Sequence, residues 1–528
     1  MRLGIDFGTT RTVVASTQGG RYPVATFESA HGYSDYIPGI AALHDQAVRF
    51  GWPAVEILEQ RPTAAIRSVK RRLSGLAPEE PVEIGPGVLS ALDLATGYLK
   101  ELRRALLDDS NLDLDGDEPL EAMVAVPANA STRQRYLTLE AFARAGFHVL
   151  GLVSEPTAAA IEFARHNLGA IGRRSPKRYV VVYDLGGGTF DVSAVSLAGR
   201  RFELISSEGI VELGGNDFDE LILRMSLEAA QLEPSELSPP ERVRMLEACR
   251  QAKESLNPSS RRLLVELEHE DKSRGSGGRQ ALTRHEVVLD ASAVHEAAQP
   301  LVDRTLSLVN RIFATLAHQG IDPGNPRELG ALYAVGGSTA FVPVMRSLRQ
   351  HFKRKLCAAP QPQASTAIGL AVAADPDSGI LVREAVTRHF GVWREAEAGR
   401  EKVFDPIFSK DSRSADGALV ATRSYRPAHS VGHLRYLECS ELAENGRPTG
   451  DLTPWGEIFF AYDPAFEKVS DHSELPLERR SDLDREEITE TYRYLAEGTV
   501  EVQIENRARG LSRSYTLAAV RLVSCAPI

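Results

Sequence analysis

Cysteine is scarce: four in 528 residues, Cys249, Cys357, Cys439 and Cys525, far apart and never in a Cys-x-x-Cys pair. That spacing offers neither a disulfide framework nor a zinc ligand set and fits a reducing compartment. Positive charge is short as well. Lysine and arginine total 61 against 72 acidic residues, a net charge of −11, which argues against an electrostatic nucleic-acid binder. No apolar run approaches the ~20 residues that cross a bilayer, and the first strand begins at the N-terminus with no room for a signal peptide. A cytoplasmic protein without membrane contact is expected. A Gly-Lys dipeptide occurs nowhere, so there is no Walker loop, and neither Gly-x-Ser-x-Gly nor His-Glu-x-x-His is present. Serine-hydrolase and zincin chemistries fall with those motifs.

What is present centres on Tyr179-Val-Val-Val-Tyr-Asp184-Leu-Gly186-Gly187-Gly188-Thr189-Phe-Asp191-Val. A β-rich apolar run reads as a strand buried on both faces. Three glycines then free the backbone N–H groups to approach an anion, before a second strand resumes at Thr189. Acidic Asp184 and Asp191 beside a phosphate cradle would repel the phosphate unless a divalent cation lay between them, which points to a nucleotide with Mg²⁺. The plain alternative is an ordinary glycine-rich turn. The chain start answers it: Gly4-Ile-Asp6-Phe-Gly8-Thr9-Thr10 repeats the design, a strand, then Asp-x-Gly with small hydroxyl residues, then another strand. Two such hairpins far apart suggest a duplicated fold with facing half-sites.

A chain of this length needs more than one core. The basic segment Ala64 to Gly75 contains Arg67, Lys70, Arg71 and Arg72 and reads on its own as a solvated face. An amphipathic helix is expected over 88–108, a strand at Met123–Val126 stopped by Pro127, and a helix from Thr132 to Ala145 closed by Gly146. Glu155-Pro-Thr-Ala-Ala-Ala reads as a helix start at a strand–helix junction. Alternating strands and helices mark an α/β domain. They continue through Gly209 to Asp219 (with Gly214 and Gly215) into a helix, a helical region over 219–257, a strand pair around 262–290 joined by the loop Asp271 to Gly278, and a long helix over 291–318. A third strand-to-glycine junction, Val335-Gly336-Gly337-Ser338-Thr339, precedes a helix from Val342 to Phe352, and helix N-termini favour phosphate. After about residue 379 alternating strands separated by turns at Asn445-Gly446, Thr449-Gly450 and Arg509-Gly510 indicate an all-β module, with the charged stretch Glu467 to Glu490 read as a solvated insert.

Asp6-Phe-Gly-Thr-Thr, Val126-Pro-Ala, Glu155-Pro-Thr-Ala-Ala-Ala, Asp184-Leu-Gly-Gly-Gly-Thr-Phe-Asp191, Leu213-Gly-Gly-Asn-Asp-Phe-Asp219 and Val335-Gly-Gly-Ser-Thr stand in the order found in heat-shock protein 70 (DnaK-type) chaperones. The resemblance covers about residues 1–375 strongly and the remainder weakly. It implies an actin-like, two-lobed ATPase domain of duplicated ribonuclease-H-like halves over 1–378, an apolar linker over 379–384 (Ile380-Leu-Val), and a β-sandwich over 385–528 that resembles the family's peptide-binding domain from Thr387 onward.

The same resemblance implies roles for individual residues. Asp6, Asp184 and Asp191 surround a hydrated Mg²⁺. Gly8, Thr9, Thr10, Gly186, Gly187, Gly188 and Thr189 hold phosphate, and Gly214 and Gly215 belong with them to the nucleotide-binding set. Lys70 orients the attacking water and the γ-phosphate, Glu155 links the site to interdomain signalling, and Pro127 and Arg135 form a relay. Lys253, Gly336, Gly337 and Ser338 line the nucleoside pocket.

Departures cluster on that pocket: Arg250, Glu254 and Asn257 replace the family's glutamate, arginine and serine, Ala340-Phe341 replaces an arginine, and Gln363-Ala-Ser-Thr-Ala replaces an Asp-Pro-x-Glu-Ala signature. The sequence ends soon after the Val500–Val520 hairpin, so no helical lid is expected, and with it fast peptide exchange. An ATP-hydrolysing chaperone with peptide, co-chaperone and exchange-factor partners is the first reading. A nucleotide-gated adaptor for one dedicated partner, a sugar-kinase-like phosphotransferase and an actin-like filament protein are the others.

Overall fold

The computed structural model describes residues 1–60, 63–73, 75–114, 119–167, 177–198, 200–271, 281–325, 327–383, 386, 388–396, 401–410, 412, 419–466, 469, 472, 475–480, 482–483, 486–495 and 499–517. Most of the loop after Asp271, residue 384 of the expected linker, Thr387, much of the charged stretch after Glu467, Cys525 and everything after Leu517, including the stretch on which the lid reading bears, lie outside the described residues.

Two sheets of one design form the first part of the chain. In lobe I the strand Arg2–Phe7 is central. It pairs antiparallel with Arg11–Ser16 on one side and parallel with Leu120–Val126 on the other, with Ile37–Pro38 and Phe147–Ser154 at the two edges. In lobe II the strand Tyr179–Leu185 occupies the same place. It pairs antiparallel with Phe190–Ala198 and parallel with Leu329–Val335, with Arg201–Ile210 and Leu356–Ala358 next in order. The matching order and directions establish the duplication that the paired hairpins suggest. Each central strand is apolar on both faces because helices cover both sides. Val180 and Val182 pack toward Ala159, Ala160 and Ala367, whereas Val181 and Tyr183 pack toward the helix Ala291–His318 side.

The expected helices fall close to their places, at Ala91–Asp108, Thr132–Arg144, Glu155–Asn167, Gly215–Ala230, Pro239–Ser255, Ala291–His318 and Val342–Phe352, whereas Gly51–Gln60 and Ser365–Ala374 have no counterpart in the sequence reading. Gly146 sits at φ +88°, as a helix-ending glycine should. One junction differs from expectation. A 3-10 turn, Gly337–Ala340, separates Gly336-Gly337 from the helix at Val342, so that helix does not begin on the glycines.

The strand Leu381–Arg383 adds in parallel to Arg201–Glu203 at the edge of the lobe II sheet. Beyond it lie two four-stranded antiparallel sheets, one ordered Glu401–Phe408, His389–Ala396, Val431–Leu442 and Pro448–Ala461. The other runs Leu419–Tyr425, Ile488–Tyr494, Val500–Asn506 and Leu511–Leu517. Inward residues of both sheets make one core around Phe390, Tyr436, Trp455, Ile488 and Val502, the signature of a sandwich.

Two expectations fail here. Gly450 is no hairpin turn. It lies inside the strand Pro448–Ala461 at φ +72°, beside the register shift at Cys439/Glu441, and marks a bulge. Glu490 is not solvated either. It is 0% exposed and takes hydrogen bonds from Arg394 (2.7 Å), Tyr425 (2.6 Å) and Tyr492 (2.6 Å), while Arg394 also pairs with Asp405 at 2.7 Å. Alternation places Glu490 inward, and the arginine and tyrosine hydroxyls from neighbouring strands satisfy it.

Candidate functional site

The turns at the ends of the two central strands face each other across one cleft. Asp6, Gly8, Thr9, Thr10 and Lys70 of lobe I and Asp184, Gly186, Gly187, Thr189 and Asp191 of lobe II line a single cavity of about 710 Å³. Glycine at the tip of the second hairpin is required by close approach, since Gly186, Gly187 and Gly188 are absent from the positive-φ positions. A Cβ on Gly187 would overlap the side chain of Thr10, and one on Gly214 would come within 2.7 Å of the Gly187–Gly188 peptide. Gly336 needs glycine twice over: its φ is +84°, and a Cβ there would overlap the Leu185 carbonyl. The helix Gly215–Ala230 closes on the same loop, with the Gly215 and Asn216 N–H groups bonded to the Gly186 and Gly187 carbonyls at 3.0 and 2.7 Å.

Lys70 belongs to a four-residue helix, Val69–Arg72, capped by Ser68, whose hydroxyl accepts the Arg71 N–H and donates to the Thr9 carbonyl at 2.5 Å. That contact fixes the basic segment to the first hairpin tip. It turns Lys70 inward, where the ammonium lies 2.6 Å from Glu155 at the start of the helix Glu155–Asn167. The solvated-face reading of the segment is therefore wrong at Lys70. Burial pulls the Lys70 ammonium down, but Glu155, Asp6 and Asp184 together raise it above the ordinary lysine value.

The carboxylates carry the opposite strain. Burial and then the Glu155 charge push Asp6 from 3.8 up to about 7, and the same two causes push Asp191 to about 7, with Lys70 opposing in both. Asp184 is pushed well above its ordinary value by burial, Glu155, Asp191 and Asp6. Asp184 thus senses the Asp6 charge across the cleft. Such a set of hard oxygen donors is receptive to a divalent cation. Among the described residues no three carboxylate, imidazole or thiolate groups converge closely enough to hold one ion directly. An ion that keeps its own waters and meets the carboxylates through them fits that spacing, and Mg²⁺ is the ion reluctant to shed water.

Lys253 is 7% exposed, lies 2.7 Å from Asp219 and donates to the Gly215 carbonyl at 2.9 Å; Gly336, Gly337 and Ser338 line the same cavity, with Ser338 also against Gly215. The departures noted in the sequence make ion pairs. Arg250 pairs with Glu247 at 2.6 Å, and Glu254 reaches across to Arg11 of lobe I at 2.7 Å. Phe341 lines the cavity and packs on Phe218, ring centroids 4.9 Å apart. Pro127 lines the cavity, whereas Arg135 is buried outside it, 2% exposed. Sequence reasoning missed Arg11, Arg71 and Asp219 as cleft residues. The neighbourhood of Lys70 is a signal for Arg71; nothing local marks Arg11, whose partner is 243 positions away.

The sandwich touches the same cavity. Arg133 donates to the Pro454 carbonyl, and Arg388, Leu452, Thr453 and Pro454 line its far end.

A family model described as Hsp70 protein matches residues 106–388, more than half of the chain. The chain belongs to the Hsp70 family. Within that family, this Hsp70 chain is 30% identical over 418 residues to the chaperone protein HscA of Proteus mirabilis, covering 74% of this chain and 62% of that one. It is 31% identical over 393 residues to the HscA homolog of Polynucleobacter asymbioticus, covering 71% and 58%. With the HscA homolog of Vibrio cholerae it shares 30% over 417 residues, 74% and 61%. The chain spans about 60% of the length of these relatives. No helix among its described residues is long and apolar enough to cross a membrane.

Proposed function

We propose that this protein is an ATP-hydrolysing chaperone in which the nucleotide held between the lobes controls the binding of peptide or a protein partner by the β-sandwich. The observation that carries the reading is the Lys70–Glu155 pair set beside Asp6, Asp184 and Asp191 between two facing loops in which Gly8 and Gly187 leave no room for a Cβ. The names of the relatives support chaperone over phosphotransferase or filament protein. A cytoplasmic location, with co-chaperone and exchange-factor partners, belongs to the same proposal.

The roles follow from chemistry. Backbone N–H groups of the two tips, with the Thr9, Thr10 and Thr189 hydroxyls, bind polyphosphate. Mg²⁺, when bound, neutralises phosphate charge and lets the acidic side chains stand near it. Lys70 carries the positive charge nearest those carboxylates, and Glu155 fixes its direction, so its remaining N–H donors point to a terminal phosphate and an attacking water. Hydrolysis to ADP and phosphate depends on such positioning and charge more than on a strong base. Lys253, Gly336, Gly337 and Ser338 form the nucleoside side, and the Arg133–Pro454 contact gives the sandwich a direct footing on the same cavity.

Single-turnover ATP hydrolysis, with and without unfolded peptides, tests the reading. Peptide-stimulated hydrolysis supports the chaperone cycle. Hydrolysis indifferent to every peptide points instead to an adaptor for one dedicated partner, and absent hydrolysis removes the ATPase.

A further inference from the structure

Among the described residues, the cations along the cavity pair with carboxylates except Arg71 and Arg133, and Arg133 bonds the Pro454 carbonyl at the sandwich end. Arg11 has Glu254, Lys70 has Glu155, Arg250 has Glu247 and Lys253 has Asp219. Arg71 lines the same cavity but, among the described residues, its guanidinium has neither a carboxylate partner nor a hydrogen bond; its backbone N–H is held by Ser68. Its neighbour Arg72 is exposed to solvent, whereas Arg71 is half-buried.

Its position is as informative as its lack of a partner. Arg71 belongs to lobe I, yet a Cβ on Gly188 of lobe II would stand 3.5 Å from its Cδ and 3.6 Å from Nη1, with Thr9 Oγ1 also at 3.6 Å. The guanidinium therefore lies in the seam between the two glycine tips. A half-buried cation without a counter-ion, flanked by backbone N–H groups, is a receptor for an anion. The planar fork of arginine matches phosphate oxygens.

We propose that Arg71 is the cross-cleft reader of the terminal phosphate: it binds the γ-phosphate of a nucleoside triphosphate from the lobe opposite the Gly186–Gly188 loop. This assignment rests on the nucleotide reading of the cleft. Because the side chain starts in one lobe and ends against the other, it reaches phosphate only when the lobes are closed. Loss of the terminal phosphate therefore removes one bond that holds them together.

The test compares Arg71→Ala and Arg71→Lys with the unaltered protein, using calorimetric binding of ADP and of a non-hydrolysable ATP analogue in the presence of Mg²⁺. Arg71→Ala is expected to leave ADP affinity within about twofold and to weaken the analogue about tenfold or more, the effect of losing a charge-assisted phosphate contact. Arg71→Lys is expected to restore only part of that loss, since a point charge cannot reproduce the fork. Thermal melting without nucleotide should be no lower for Arg71→Ala. Equal weakening of ADP and analogue, or no weakening of either, overturns the assignment while leaving the cleft a nucleotide site. Failure of the unaltered protein to bind either nucleotide overturns the site reading and this assignment together.

Discussion

The Arg11 guanidinium of lobe I stands 2.7 Å from the Glu254 carboxylate of lobe II, joining the two halves at the mouth of the cleft. Arg11 also lies over the Tyr36 ring at 4.5 Å, which fixes its direction. Both partners keep contact with solvent, so the pair contributes at most about 1 kcal/mol and is weakened by salt. Glu254→Gln is expected to speed ADP release by up to about fivefold at low ionic strength, with the difference shrinking in high salt. Stopped-flow release of a fluorescent ADP at two salt concentrations measures this; a salt-independent change of the same size contradicts it.

Lys70→Met removes the charge held by Glu155 but keeps the length of the side chain. Single-turnover hydrolysis should fall on the order of a hundredfold or more, as for loss of a preorganised charge contact, while ADP affinity changes little. An equal fall in ADP affinity would assign Lys70 to general binding.

The acidic cluster makes the metal-free protein sensitive to pH. Asp191 titrates near 7 when folded against an ordinary 3.8. The folded state therefore holds more protons than the unfolded state between about pH 4 and 7, and stability falls as pH rises through that window. Asp191→Asn cannot ionise. Without metal or nucleotide, its melting temperature should exceed that of the unaltered protein by on the order of a few degrees at pH 8, with the gap closing at pH 4. Melting curves at the two pH values, recorded in chelator, decide it; a gap of equal size at both contradicts the linkage.

Much of the fold was legible because the signals were local. The Asp6 and Asp184 tips declared themselves by repetition, and the strand–helix alternation between them fixed the class. What escaped was set by distant partners. Local charge alone made Lys70 look solvated and only the family resemblance singled it out; Ser68, bonded to Thr9, turns it toward Glu155. Arg11 met a residue 243 positions away. Gly450 read as a turn because a bulge and a hairpin both use glycine at positive φ. Glu490 sat at the end of a charged run, yet strand alternation and the arginine and tyrosines of adjacent strands buried it.

That last contact yields its own prediction. Glu490→Ala leaves Arg394, 20% exposed, without one of its two acidic partners, Asp405 remaining. Removing one member of a buried ion pair costs about 3–5 kcal/mol. Denaturant unfolding followed by Trp393 and Trp455 fluorescence should report that loss. A change under 1 kcal/mol would mean the network is solvated.

Calorimetric titration of ADP with and without Mg²⁺ tests the central claim most directly. One nucleotide per chain, bound far more weakly when Mg²⁺ is removed or when Asp6 or Asp184 is changed to Asn, is the predicted result. Binding indifferent to the metal and to both substitutions, or no binding at all, would contradict it.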